Sequence, residues 1–109
     1  MIRVSIKRDK QKSIVEYRVT GHSGHDEYGK DIVCSAVSTL SQAVIIGLEK
    51  VAGIMPRYWI KDGDLHCIIP PLDNKSRREA DLLLDTMYHT LISIKQSYPE
   101  NISISEMEV

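Results

Sequence analysis

The stretch Asp31-Ile32-Val33-Cys34-Ser35-Ala36-Val37-Ser38-Thr39-Leu40-Ser41-Gln42-Ala43-Val44-Ile45-Ile46-Gly47-Leu48-Glu49-Lys50-Val51 decides how this 109-residue chain folds. Val33, Ala36, Val37, Leu40, Val44, Leu48 and Val51 recur at three- and four-residue spacing. That spacing predicts a helix over 32–51 with one apolar stripe against a core. Asp31 stands where an N-cap carboxylate accepts hydrogen bonds from the first-turn amides. Ile32, Ile45 and Ile46 widen the apolar surface beyond that stripe, which predicts a second covered face and association with another copy of the chain.

Upstream of this helix, Ile2, Val4 and Ile6 alternate with polar residues, 8–12 is wholly polar, and Ile14, Val15, Tyr17 and Val19 resume a strand pattern. This is the signature of a β-hairpin. From 21 to 30 the composition turns to Gly, His, Ser and acidic residues, and Gly21, Gly24 and Gly29 predict a flexible loop. Downstream, two apolar runs at 56–60 and 65–69 flank Asp62-Gly63, a two-residue hairpin turn, and Pro70-Pro71 closes the unit. Ser76-Arg77-Arg78-Glu79 has capping-box spacing, and Ala80, Leu83, Leu84, Met87, Leu91, Ile94 and Tyr98 keep a helical period as far as Pro99. Ile102 and Ile104 alternate within 101–109, which fits a last strand at a sheet edge. The order is ββαββαβ: a single α+β domain over 1–109, with a mostly antiparallel sheet packed against two long helices.

Charged residues make up 27% of the chain and the formal net charge is -1, so no basic surface directs it to nucleic acid. The alternation at 1–8 lacks the uninterrupted apolar core of a signal peptide, and no segment is expected to reach the roughly 20 apolar residues of a bilayer span. These features predict a cytoplasmic protein without membrane contact. Cys34 and Cys67 stand far apart with no CxxC spacing, so reduced thiols are expected rather than a disulfide framework or zinc ribbon.

Chemistry concentrates where the second strand, the glycine-rich loop and the first helix meet. With Asp31 as N-cap, Cys34 falls in the first turn, where free amides and the positive end of the helix dipole favour a thiolate. His22 ends the preceding strand, and its imidazole can take the thiol proton and pair with the thiolate. First-turn amides would then hold the oxyanion of an acyl-transfer intermediate. Ser38 lies one turn beyond Cys34 on the same face, with a hydroxyl able to position a substrate carbonyl. Asp31 either caps the helix or orients His22.

Each of these assignments has a competitor. An isolated helical cysteine is commonly a small buried hydrophobe, and on residue chemistry alone this reading stands beside the catalytic one. His22, His25 and Cys34 hold three zinc-ligand types without an obvious fourth, and the glycines near Lys30 lack the order of a phosphate-binding loop. No metal or cofactor is therefore expected. Cys67 reads as structural, His66 and His89 as hairpin and helix residues, and alternation predicts that one ring of Tyr58-Trp59 faces the core while the other faces outward.

Gly21-His22, six intervening residues, Gly29, then Asp31-Ile32-Val33-Cys34, Ala36 and Ser38 together resemble the ribosomal-processing cysteine protease family, Prp, of Firmicutes and related bacteria. The block is specific, and the layout and length agree over the whole chain. The resemblance implies a homodimeric peptidase whose catalytic pair falls on His22 and Cys34, with Asp31 and Ser38 in support. It implies a substrate as well: the N-terminal extension of a bacterial large-subunit ribosomal protein, number twenty-seven of the L series. The segment 23–30 corresponds to a mobile loop over the family's site. This chain departs from the family at Ser35, where Ala is usual, and at Ser41-Gln42, which replaces a smaller, glycine-containing pattern.

Overall fold

Alternation in the strands and periodicity in the helices produce two layers. The computed structural model describes residues 1–21 and 28–109, with the side chains of 28–31 excepted. Five strands, β1 (Ile2–Arg8), β2 (Ile14–Thr20), β3 (Arg57–Lys61), β4 (Asp64–Ile68) and β5 (Ile102–Glu108), form one sheet in the order β3-β4-β2-β1-β5. All neighbours are antiparallel except β1 and β5, which run parallel with Ile2 opposite Ile102 and Val4 opposite Ile104. The helices are α1 (Tyr28–Ile46), prolonged by a π-helical turn at Gly47–Val51, and α2 (Asn74–Ser97). The ββαββαβ order is the one expected from the sequence.

Register sorts the sheet into two unlike faces. Val4, Val19 and Leu65 lie side by side on one face, as do Ile6, Tyr17 and Cys67, and all six are buried. Val33, Val37, Val44, Ile45 and Leu48 of α1 and its π turn, with Ala80, Leu84, Met87 and Leu91 of α2, complete the same core cluster. Burying such a side chain contributes about 1.5–3 kcal/mol, so this layer dominates stability. The other face carries Lys7, Glu16, Arg18, Asp64 and His66. There Arg18 grips Asp64 through two bonds of 3.0 and 2.7 Å, and His66 Nε2 stands 2.8 Å from the Glu16 carboxylate.

Gly47 brings the helices close: a Cβ there would lie 3.2 Å from Leu83 Cδ2. The Asp62-Gly63 turn joins β3 to β4 as expected, with Gly63 at φ 74° in the left-handed region.

Four expectations need correction. First, α1 begins at Tyr28, so Asp31 lies inside the helix and is not its N-cap, and Gly29 is helical rather than part of a loop. Second, α2 is capped not by Ser76 but by Asp73, whose carboxylate accepts from the Ser76 amide at 2.8 Å. Asp73 presents the stronger acceptor three residues ahead of that amide.

Third, both rings of Tyr58 and Trp59 are substantially exposed, at 40% and 46%, because β3 is the edge strand and the described helices leave it uncovered. Trp59 instead packs between the Arg57 guanidinium, 5.4 Å above its ring, and the His66 ring, 5.4 Å away. Fourth, Ile32–Val51 has a mean hydropathy of 1.6 and does match a bilayer span in length and composition. Its buried apolar stripe lies in the core cluster with the sheet and α2, which is how the helix of a two-layer α+β fold satisfies that surface.

Candidate active site

Three elements converge beside Cys34. From α1 come Cys34, Val37, Ser38, Ser41 and Gln42; the end of β2 brings Val19 and Gly21, and the β3–β4 turn brings Lys61, Asp62, Gly63 and Asp64. They enclose a cleft of about 370 Å³, large enough for a few peptide side chains. Its α1 wall follows from helical periodicity, since positions i, i+4 and i+7 share a face, which aligns Cys34, Ser38 and Ser41. The opposite wall is set by sheet register, which lays Ile60 beside Leu65 next to the turn.

Gly21 fixes the corner of the cleft. It has φ 90°, and a Cβ there would meet the Met1 carbonyl oxygen at 2.5 Å, so only glycine fits. Its amide donates to the Gly63 carbonyl at 2.9 Å, pinning the end of β2 to the β3–β4 turn. His22, Gly24 and His25 lie outside the described residues, as does 23–27 of the loop expected over the site, while its remainder, 28–30, belongs to α1.

The two thiols differ in surroundings. Cys34 is half-buried at the cleft, whereas Cys67 is fully buried in the core beside Tyr17. Burial pushes the Cys67 thiol up to about 11, against an ordinary 9.0, and drives the Tyr17 phenol far above its usual range. Cys67 is a core residue, as expected.

Cys34 is the seventh residue of α1, counting from Tyr28, and so does not occupy the first turn. Its amide belongs to the i to i−4 ladder, and the helix dipole acts chiefly within the first turn. The expected oxyanion hole of first-turn amides is therefore not available at Cys34.

The α1 wall of the cleft carries polar groups of its own. Gln42 Nε2 donates to Ser38 Oγ at 3.0 Å, a contact between neighbouring turns that sequence reading did not single out. Its only signal was the i, i+4 spacing of two polar residues on a largely apolar helix. Ser41 is wholly buried with its hydroxyl unpaired among the described residues, while its carbonyl accepts from the Tyr17 hydroxyl at 2.8 Å.

A half-buried cysteine in a peptide-sized cleft at a helix–sheet junction is a setting suited to a cysteine peptidase, and comparison with known proteins gives the family. The model of the family described as cysteine protease Prp matches residues 1–103, and the chain belongs to that family. The ribosomal processing cysteine protease Prp of Bacillus subtilis (strain 168) is 31% identical over 108 residues, covering 96% of each chain. The protein of the same name from Staphylococcus aureus (strain Mu50) is 30% identical over 105 residues, covering 96% of this chain and 98% of its own.

Two crystal structures of the essential ribosomal processing protease Prp from S. aureus share the fold. One, with a covalently linked product peptide, superposes with a TM-score of 0.85 at 29% identity over 98% of this chain and all of the other. The second, with a substrate peptide, gives 0.86 at 28% identity with the same coverage.

Proposed function

We propose that this chain is an endopeptidase that removes the N-terminal extension of the bacterial large-subunit ribosomal protein numbered twenty-seven in the L series, with Cys34 as nucleophile and His22 as its proton partner. The observation that carries the reading is the placement of Cys34: of the two thiols, it is the one that opens on the peptide-sized cleft. The peptide complexes of the S. aureus relative, one of them covalent, support the same chemistry in this chain.

In this mechanism His22 takes the Cys34 proton, and the thiolate sulfur attacks the scissile carbonyl carbon. The carbonyl π pair moves onto oxygen, forming an oxyanion. Collapse of the intermediate expels the amine, which carries away the proton from the His22 imidazolium, and leaves a thioester. Water then attacks the thioester with His22 as base, releasing the acid and restoring the thiol. Ser38 is the hydroxyl donor on the cleft face of α1 beside Cys34, and it supplies a hydrogen bond to the oxyanion that first-turn amides do not provide. Apolar residues Ile2, Val19, Val37, Ile60 and Leu65 line the remaining cleft and suit large apolar substrate side chains.

The enzyme acts in the cytoplasm as a homodimer. Exposed Ile46, Val51, Met55 and Tyr58, together with the open edge of β3, are the apolar surface that a second copy would cover. Sedimentation should give twice the 12.4 kDa chain mass, and a monomer at working concentration would refute the dimer.

The test of function is mass spectrometry of the host's precursor ribosomal protein after incubation with wild-type enzyme and with Cys34→Ala. One cut at the extension boundary, by wild type alone, is expected. An uncut precursor would sink the substrate assignment.

A further inference from the structure

We infer that Gln42 is a positioning residue that fixes Ser38 as a hydrogen-bond donor toward the peptide carbonyl attacked by Cys34; this rests on the peptidase reading and adds to it a polarity for the α1 wall.

A serine hydroxyl has one hydrogen and two lone pairs, so its direction is set by its neighbours. Ser38 Oγ accepts from Gln42 Nε2 at 3.0 Å, which occupies a lone pair and leaves the Ser38 hydrogen uncommitted. Two threonines on α2 behave otherwise: Thr86 and Thr90 spend their hydrogens on the carbonyls four residues back, Leu82 and Thr86, at 2.6 and 2.7 Å. No such back-bond holds Ser38 among the described residues, and both Ser38 and Gln42 line the cleft that contains Cys34. Helical spacing sets Ser38 one turn from Cys34 on that face.

Donation from Gln42 also polarises the Ser38 hydroxyl, since hydrogen bonds in a chain strengthen one another. The resulting order, amide to hydroxyl to carbonyl oxygen, stabilises negative charge as it develops on that oxygen, and no proton leaves either side chain. Water weakens such a bond in the open cleft. A bound peptide excludes that water, so the polarity matters most in the reacting complex.

Gln42→Glu tests this directly, because a carboxylate only accepts. The Ser38 hydrogen is then drawn to the introduced carboxylate and away from the peptide, and a negative charge is brought near the oxyanion. Using a peptide that spans the extension boundary, the expected loss in kcat/KM is about tenfold, the size of one net hydrogen bond, with the loss falling mainly on kcat. Gln42→Ala, which removes the donor without capturing the hydroxyl hydrogen, should lose less.

Two further readouts separate positioning from a merely structural effect. In a Ser38→Ala background the Gln42→Glu change should cost clearly less than in wild type, because the hydroxyl it misdirects is gone and only the direct repulsion by the added charge remains. Measured as a ratio to wild type at each pH, the activity of Gln42→Glu should recover as pH falls toward the ordinary carboxylate pKa of about 4.3, where the introduced group regains a hydrogen to donate.

A Gln42→Glu enzyme with wild-type kcat/KM, or one whose loss is the same with and without Ser38, overturns this inference while leaving the peptidase reading intact. If wild-type enzyme leaves the peptide whole, the substrate reading itself is overturned, together with the positioning role of Gln42.

Discussion

Tyr17, at the centre of the buried sheet face, donates its phenolic hydrogen to the main-chain carbonyl of Ser41 at 2.8 Å. This bond ties β2 to the turn of α1 that lines the cleft, and so links the core directly to the wall bearing Ser38 and Cys34. Tyr17→Phe keeps the ring and leaves the Ser41 carbonyl its partner in the helix ladder. The expected cost is therefore about 1 kcal/mol of stability, with no orphaned acceptor. Urea denaturation with an unchanged m-value checks it.

Ser41 itself provides the opposite case. Its hydroxyl is buried and unpaired among the described residues, and such a group bears a desolvation cost of about 1–3 kcal/mol. Ser41→Ala removes that cost and substitutes a better helix former, so the unfolding midpoint should rise. A fall of the midpoint would mean that the hydroxyl has a stabilising partner, such as an internal water.

The two thiols should separate cleanly under alkylation. Cys67, buried and held at about 11, presents almost no thiolate at pH 8, whereas Cys34 is half-buried at the cleft. Peptide mapping after brief iodoacetamide treatment of native protein should find label at Cys34 and none at Cys67. Equal labelling would indicate a core far looser than the one described.

The same thiol predicts alkaline behaviour. Its folded pKa of about 11 lies above the ordinary 9.0, so the unfolded chain loses this proton first as pH rises. The contribution of the neutral thiol is complete below about pH 9 and diminishes as pH climbs from about 9 to about 11. Tyr17, also raised by burial, adds to the loss above its usual range. Thermal midpoints recorded between pH 8 and 11 should fall, and Cys67→Ala should flatten the first part of that fall.

Gly21→Ala should be costly for a backbone reason. The residue sits at φ 90°, with the Met1 carbonyl oxygen 2.5 Å from any added Cβ. Positive φ alone costs a β-carbon residue about 1–2 kcal/mol, and the clash adds to it. Loss of peptidase activity should exceed what the fall in stability accounts for, because the Gly21–Gly63 bond holds a corner of the cleft.

The strands and helices are legible in the sequence because their signals are local. Alternation at Ile2, Val4 and Ile6 becomes the buried face of β1, and the Asp62-Gly63 turn becomes the β3–β4 hairpin. Helix starts are less legible. Asp31 and Ser76 both have the character of caps, yet α1 begins at Tyr28 and α2 is capped by Asp73, since several residues near each start could offer a side-chain acceptor. For Trp59, alternation alone cannot reveal that β3 occupies an edge and that Arg57 and His66 flank its ring.

The sequence by itself determined the element order, the apolar faces and the family, because periodicity and short motifs are written along the chain. Only tertiary structure decided that Cys34 shares a cleft with the β3–β4 turn, that it lies beyond the first turn of α1, and that Cys67 is sealed beside Tyr17. Those relations depend on sheet order and on the packing of α1 against the sheet. They bring together residues distant in the chain, and no local pattern encodes that proximity.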